Sequence, residues 1–300
     1  MIVFLSTRDH QRPILEYLES HGSALADVLE PMSYSQFLQA RELPRGAYVF
    51  ADIERLSADE RLRAETLWQR LAQQGCRLLN HPTRTLRRFE LLRALHRRGG
   101  NRFDVHRLSP GAGSPRFPVF LRRENDHRGP RTPLLHTPAE LDAAIAHWLG
   151  SGEDLGEVIA TEFCDTADGN LVYRKYGAFL LGDRIIPRHV FFSDGWNVKR
   201  WKLAGDGFLA EELRYLETNP HQQELREIFA LAHIDYGRID YALEDGQIQV
   251  WEINTNPMIV RPTAARSARE AVHARFAAAL ELAWKEVALD RVLKNPRIRP

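Results

Sequence analysis

The sequence predicts an α/β layer at the N-terminus followed by an α+β body, an expectation carried by three observations. Short apolar runs alternate with amphipathic stretches over the first 80 residues. Turn-punctuated, β-rich runs fill 158–192, and helical stripes recur through the last third of the chain. Strands alternating with helices favour a parallel sheet, whereas successive β runs separated by turns favour antiparallel pairing.

Taken in order, Ile2 to Leu5 reads as a buried strand and Pro13 to Leu18 as a helix. Ala47 to Phe50 is a second β-favouring run. Ala64, Leu67, Trp68 and Leu71 share one helical face, and Cys76 to Leu79 reads as a further strand. Leu86, Phe89, Leu92 and Leu95 form another stripe, stopped by Gly99-Gly100. The turn-rich stretch Ser109 to Pro115 reads as a connection between lobes, since no GK[ST] follows its glycines and prolines bracket them. Phe117 to Leu121 reads as a strand, and Thr137-Pro138 opens a helix bearing Leu141, Ala144, Ile145, Trp148 and Leu149. Val158 to Phe163, Leu171 to Leu181 and Arg184 to Phe192 read as antiparallel strands. Leu225, Ile228, Phe229 and Ala232 mark a helix, and Val272, Phe276, Leu280, Ala283 and Val287 a long final one.

Composition narrows the function classes. The 300 residues hold 41 Lys and Arg against 40 Asp and Glu, a formal charge of +1, which gives no global reason to expect nucleic acid as a partner. Two cysteines, Cys76 and Cys164, cannot build a disulfide framework, so a cytoplasmic setting is expected. The apolar run Ile2 to Leu5 is far short of a signal-peptide core, and no membrane association is expected. His127, His136, His189 and His233 are scattered without a metal motif and read as structural.

The most informative segment runs from Gly237 to Pro257. Asp245-Gly246 between two alternating runs signals a hairpin. On its second strand Glu252 and Asn254 share a face by the period of two, and Asp240 on the first strand falls on a neighbouring rung of that face. Two carboxylates and an amide oxygen are hard donors suited to Mg²⁺, which prefers oxygen ligands completed by water and nucleotide phosphates.

Arg238-Ile239-Asp240 followed by Glu252-Ile253-Asn254-Thr255-Asn256-Pro257 resembles the C-terminal signature of the ATP-grasp superfamily. The resemblance is to carboxylate–amine ligases of the D-alanine–D-alanine ligase and ribosomal-protein glutamate ligase type. It implies an ATP-grasp fold with an N-terminal α/β domain over 1–82, a small ATP-binding lobe over 83–162 and a metal- and ATP-binding lobe over 163–300. It also implies ATP and Mg²⁺ as cofactors, with Asp240, Glu252 and Asn254 as metal ligands and Arg238 stabilising charge in the reaction. Ile159 to Phe163 resembles the strand linking the ATP-binding lobes, which places Glu162 and Phe163 at adenine, and Lys199 lies where a phosphate-binding lysine is common. Asp165 or Asp168 would meet ribose, against a turn role for Asp168-Gly169. Where relatives carry a Val-Lys-Pro-like strand, this chain reads Phe120-Leu121-Arg122-Arg123, so Arg122 takes the lysine's place, with a different reach and geometry. The lid position, Asn125 to Gly129, holds one glycine, and Arg87 and Arg88 stand near the position of an earlier helical lysine. The implied activity is ATP-dependent joining of a small-molecule or peptide carboxylate to an amine through an acyl phosphate. A phosphotransferase on the same fold and a non-catalytic nucleotide-binding regulator are the alternatives. Specificity is expected in N-terminal loops and in Met258 to Ala265, and neither the substrates nor the oligomeric state is legible.

Overall fold

The computed structural model describes residues 1–108, 114–152, 154–199, 202–260, 269–289 and 297–298. Part of the expected linker at Ser109 to Pro115 and most of the specificity segment after Val260 lie outside them.

The first sheet is parallel and built from β1 (Ile2–Ser6), β2 (Leu29–Ser33), β4 (Ala47–Phe50) and β5 (Arg77–Leu79), in the order β2-β1-β4-β5. A short β3 (Leu43–Pro44) precedes β4. Helices α1 (Arg12–Glu19), α2 (Tyr34–Gln39) and α3 (Ala58–Gln73) flank the sheet. The run Ile2 to Ser6 is wholly buried because both faces of this parallel sheet are covered. Helices α2 and α3 each start on a capping box, Ser33 with Gln36 and Ser57 with Glu60. Strand β2 went unread in the sequence because Leu29-Glu30-Pro31-Met32-Ser33 has neither alternation nor an apolar run, and Pro31 breaks the pattern.

Helix α4 (Arg88–Arg97) leads to a three-stranded antiparallel sheet, β6 (Val105–Arg107), β7 (Val119–Arg123) and β8 (Val158–Glu162), with β8 in the centre. Helix α5 (Pro138–Gly150) packs on it behind the Thr137 cap, whose side chain accepts from the Glu140 N–H. The large sheet follows: β9 (Tyr173–Leu181), β10 (Arg184–Ser193), then α6 (Asp206–Thr218), α7 (Gln222–Ala232), β11 (Tyr236–Glu244) and β12 (Gln247–Asn254). It is antiparallel, ordered β10-β9-β11-β12. The long α8 (Glu270–Leu289) covers one side, and β13 (Arg297–Ile298) returns to pair with β3. The expected strand from Leu171 starts at Tyr173, since Leu171 takes the left-handed conformation in the preceding turn. The expected helix from Leu86 starts at Arg88.

One core is shared between lobes. Phe4, Val49 and Leu79 of the first sheet pack with Phe179, Tyr236, Phe276 and Trp284 of the last lobe. Asn80 fixes the same junction with its side chain, donating to the Phe50 and Tyr236 carbonyls and accepting from the Asp235 and Tyr236 N–H groups. No helix among the described residues is long and apolar enough to cross a membrane.

Candidate active site

The hairpin forms as the sequence predicts. Asp245 and Gly246 both have positive φ, 49° and 79°, the pattern of a two-residue turn whose twist matches the strands it joins. Asp240 pairs directly with Glu252, one rung closer than expected, and Arg238 pairs with Asn254. A bulge between Asp240 and Tyr241 follows immediately, so the apolar side chains beyond it keep facing the core. All four polar side chains therefore project from one face at one end of β11 and β12.

Each carboxylate is held by its own set of cations. Asp240 accepts from Arg238 Nε at 2.7 Å and Nη2 at 3.3 Å, and Lys175 of β9 lies 3.2 Å away. Glu252 is ion-paired with Arg88 of α4, and Arg122 Nη2 of β7 lies 3.2 Å from it. His127, in the loop after β7, adds its Nδ1 at 3.6 Å. Burial pushes the Glu252 carboxyl upward, but Arg88, His127 and Arg122 outweigh it and hold the group well below the usual carboxylate range. Burial, then the neighbouring Arg88, brings the Arg122 guanidinium down to about 10, and its buried Nε donor has no partner.

Arg88 is an anchor. Its Nη1 donates to the carbonyls of Arg123, Glu124 and Asp126, at 3.1, 2.6 and 2.8 Å, while Nη2 meets Glu252. The loop from Glu124 to His127 is thereby tied to α4 and β12 at once. His127 extends the tie to the first sheet, with Nε2 3.1 Å from Glu54. Thr255, just past β12, donates to Glu54 and accepts from the Ile53 N–H at 3.2 Å. Burial opposes the charge on Glu54, but His127 and Thr255 bring its carboxyl down to about 2. A small cavity lined by Glu54, Arg88, Asn125, His127, Ile253 and Thr255 opens at this junction.

Of the residues singled out from sequence, the structure brings together Arg122, Arg238, Asp240, Glu252 and Asn254. Asn254 Oδ1 accepts the Asn256 N–H at 2.8 Å, turning the chain at the strand end. Glu162 stands apart, its carboxylate taken by the N–H groups of Arg116 and Asp104, at 2.8 and 3.2 Å, and by His106 at 3.2 Å. Phe163 joins an aromatic group in which Phe120 and Trp196 rings are 5.0 Å apart and Phe163 and Trp196 6.0 Å. Lys199 runs along the lid: a Cβ on Gly129, whose φ is 83°, would sit 2.6 Å from Lys199 Cε. Asp168 is a turn residue, accepting the Asn170 and Val172 N–H groups and pairing with Arg174, while Asp165 accepts the Ala167 N–H. Sequence reasoning missed Glu54, Lys175 and the role of His127. The signal for Glu54 was its place just past β4, at the carboxyl edge of a parallel sheet, where such sheets present functional groups.

No family model and no curated protein matches the sequence. The fold does match solved structures, and it is that of the ATP-grasp ligases. D-alanine–D-alanine ligase from Bacillus anthracis in complex with ATP aligns with a TM-score of 0.52 and 11% identity, over 96% of this chain and 98% of that one. A second structure of that ligase gives 0.54 and 13%, over 96% and 97%. The ATP-grasp ligase PsnB complexed with its minimal precursor gives 0.53 and 14%, over 95% and 98%.

Proposed function

We propose that this chain is an ATP-dependent ligase joining a carboxylate to an amine, working at the face formed by Arg238, Asp240, Glu252 and Asn254. The observation that carries this reading is the Asp240–Glu252 rung with Arg238 beside it and Arg122 reaching across from the opposing sheet. The donor chemistry fits magnesium, since a buried carboxylate, a largely buried one and an amide oxygen share one strand-end face. Asp240, Glu252 and Asn254 would hold the ion, which would supply charge neutralisation at the nucleotide phosphates.

The chain's own groups account for the rest. Three guanidiniums, of Arg88, Arg122 and Arg238, and the Lys175 ammonium converge on two carboxylates, so the face has cationic donors to spare for a polyanion. Arg122, with an unpartnered buried Nε, would take a phosphate oxygen, and Lys199 lies beside Gly129 of the loop that carries His127. The aromatic group of Phe120, Phe163 and Trp196 is the surface on which a purine would stack. Arg238 would stabilise negative charge developing on the activated carboxyl. The lid, tied by Arg88, would exclude water from an acyl phosphate.

The test is ADP release with ATP and magnesium, scored for dependence on both a carboxylate and an amine from a metabolite pool. Release that needs both supports ligation. Release with a single acceptor supports a phosphotransferase, and nucleotide binding without release under any pair leaves a regulator. Arg238→Ala is expected to lower kcat by about 100-fold or more with little change in ATP affinity. Weakened ATP binding at unchanged kcat would contradict its role.

A further inference from the structure

We propose that the large sheet carries a second subsite, for an organic carboxylate, built on Arg188 and His189 of β10 beside Arg238; that the carboxylate belongs to the amine-bearing acceptor rests on the ligase reading above.

Arg188 is a buried guanidinium with no carboxylate partner among the described residues. Its Nε donates to the Ile259 carbonyl at 2.9 Å, and its head lies 4.7 Å from the centre of the Phe276 ring. Around it the charges are mostly of its own sign. Arg238 and Arg269 repel it, and this, after burial, brings Arg188 down to about 9. The carboxylates nearby are already used. Glu212 takes both Arg269 donors, at 2.6 and 2.7 Å, and the Val190 N–H, while Asp240 is held by Arg238 and Lys175. Among the described residues, Arg188, Arg238, Arg269 and Lys175 thus stand beside Glu212 and Asp240, both of which are already paired. The stretch from 261 to 268, which joins Ile259-Val260 to Arg269, contains no acid in its sequence.

His189 completes the set. Its ring lies flat on the sheet, stacked on Phe191 at 3.9 Å and over Gly177, where a Cβ would fall 2.5 Å from His189 Cε1. Lys175 and Arg269 approach that same Phe191 ring, at 5.5 and 5.8 Å from its centre. Burial first, and then Arg238, Arg188, Lys175 and Arg269, hold the imidazole neutral. Its buried Nε2 has no partner, and neither does the buried Nδ1 of His273 on α8, which burial and then Arg188 and Arg269 bring down to about 4. A buried guanidinium without a counter-ion and orphaned imidazole nitrogens are unfavourable unless an anion with hydrogen-bonding oxygens joins them. A carboxylate meets that need, and the arginine fork matches its two oxygens.

Position assigns the role. His189 pairs with Gly177, and Gly177 with Asp240 on the other side, so the subsite lies two strands, about 10 Å, from the Asp240 rung. It is on the side of β11 away from Glu252 and Arg122. Arg238 is the charged neighbour that the subsite shares with the Asp240 rung.

Sodium succinate and inorganic phosphate, titrated calorimetrically into the full chain at ionic strength matched with sodium chloride, test the subsite. Succinate is expected to bind saturably, and Arg188→Gln to weaken it at least tenfold while leaving the affinity for a fluorescent ATP analogue with magnesium unchanged. Arg188→Lys, which keeps charge and bulk but loses the planar fork, is expected to weaken succinate as well and guards against a folding failure of the first variant. Absence of saturable succinate binding, phosphate binding in its place, or affinity unchanged in both variants overturns the subsite. Succinate binding with no nucleotide binding keeps the subsite and removes the ligase reading, so the two failures are separable.

Discussion

At Glu252, two guanidiniums and an imidazole converge on one largely buried carboxylate, and this sets how the residue responds to substitution. Glu252→Gln leaves Arg88 and Arg122 buried against a neutral amide. Breaking a buried ion pair from one side costs about 3 kcal/mol, so urea denaturation of the variant is expected to show a loss of that order. The affinity for magnesium–ATP should fall with it; unchanged affinity would sink the metal assignment. Glu54 gives a pH signature. Its carboxyl lies at about 2 against an ordinary 4.5, so it binds its proton more weakly folded than unfolded. The stabilisation is therefore full above pH 4.5 and lost as the pH falls toward 2, amounting to about 3 kcal/mol at 1.36 kcal/mol per unit. Stability curves at pH 7 and pH 3 should converge in Glu54→Gln relative to the parent. An equally steep acid limb in the variant would assign the loss to other carboxylates.

The elements place these groups by register. The extra residue Trp251 in β12, opposite the Asp240–Tyr241 step, lets Glu252 share the face of Arg238 and Asp240 while Val250 stays in the core with Tyr241. Gly177 plays the matching part on β9, since its bare backbone leaves room for the His189 ring. Gly177→Ala would force that ring or the strand to move, and overpacking of this kind costs about 1–3 kcal/mol. The expected result is that loss in denaturation together with a changed His189 ring resonance; an unchanged resonance would mean that the ring does not lie over Gly177. The alternation of β12 was readable because it holds on both sides of the single break at Val250-Trp251, and so was the Asp245-Gly246 turn. Strand β6 and helix α6 were not. Val105-His106-Arg107 is too short to carry a period, and α6 opens after Gly205 with no capping side chain.

Across the whole molecule, the lobes are joined by a shared core and by Asn80. Its side chain satisfies four backbone groups from β4's end, Asp235 and Tyr236, in a left-handed conformation that asparagine tolerates. Asn80→Ala orphans those groups at a buried junction. At about 1 kcal/mol each, less whatever water recovers, the loss is about 2–4 kcal/mol, and it should appear as one cooperative transition moved to lower urea. Two separated transitions would show instead that the lobes fold independently.

The sequence by itself determined the periodic features and the hairpin. Local rules, such as side-chain alternation and the turn chemistry of Asp245-Gly246, put Asp240, Glu252 and Asn254 on one face, and the resemblance of Arg238-Ile239-Asp240 and Glu252 to Pro257 to a family signature implied the ATP-grasp fold. What only the tertiary structure decided is who meets those residues. Arg88, Arg122 and His127 reach Glu252 across more than a hundred residues of chain, and Glu54 joins them from the first sheet. Arg188 and His189 stand together in a cationic patch whose character depends on which carboxylates are already paired. Those contacts rest on packing between lobes, and no local pattern of residues encodes it.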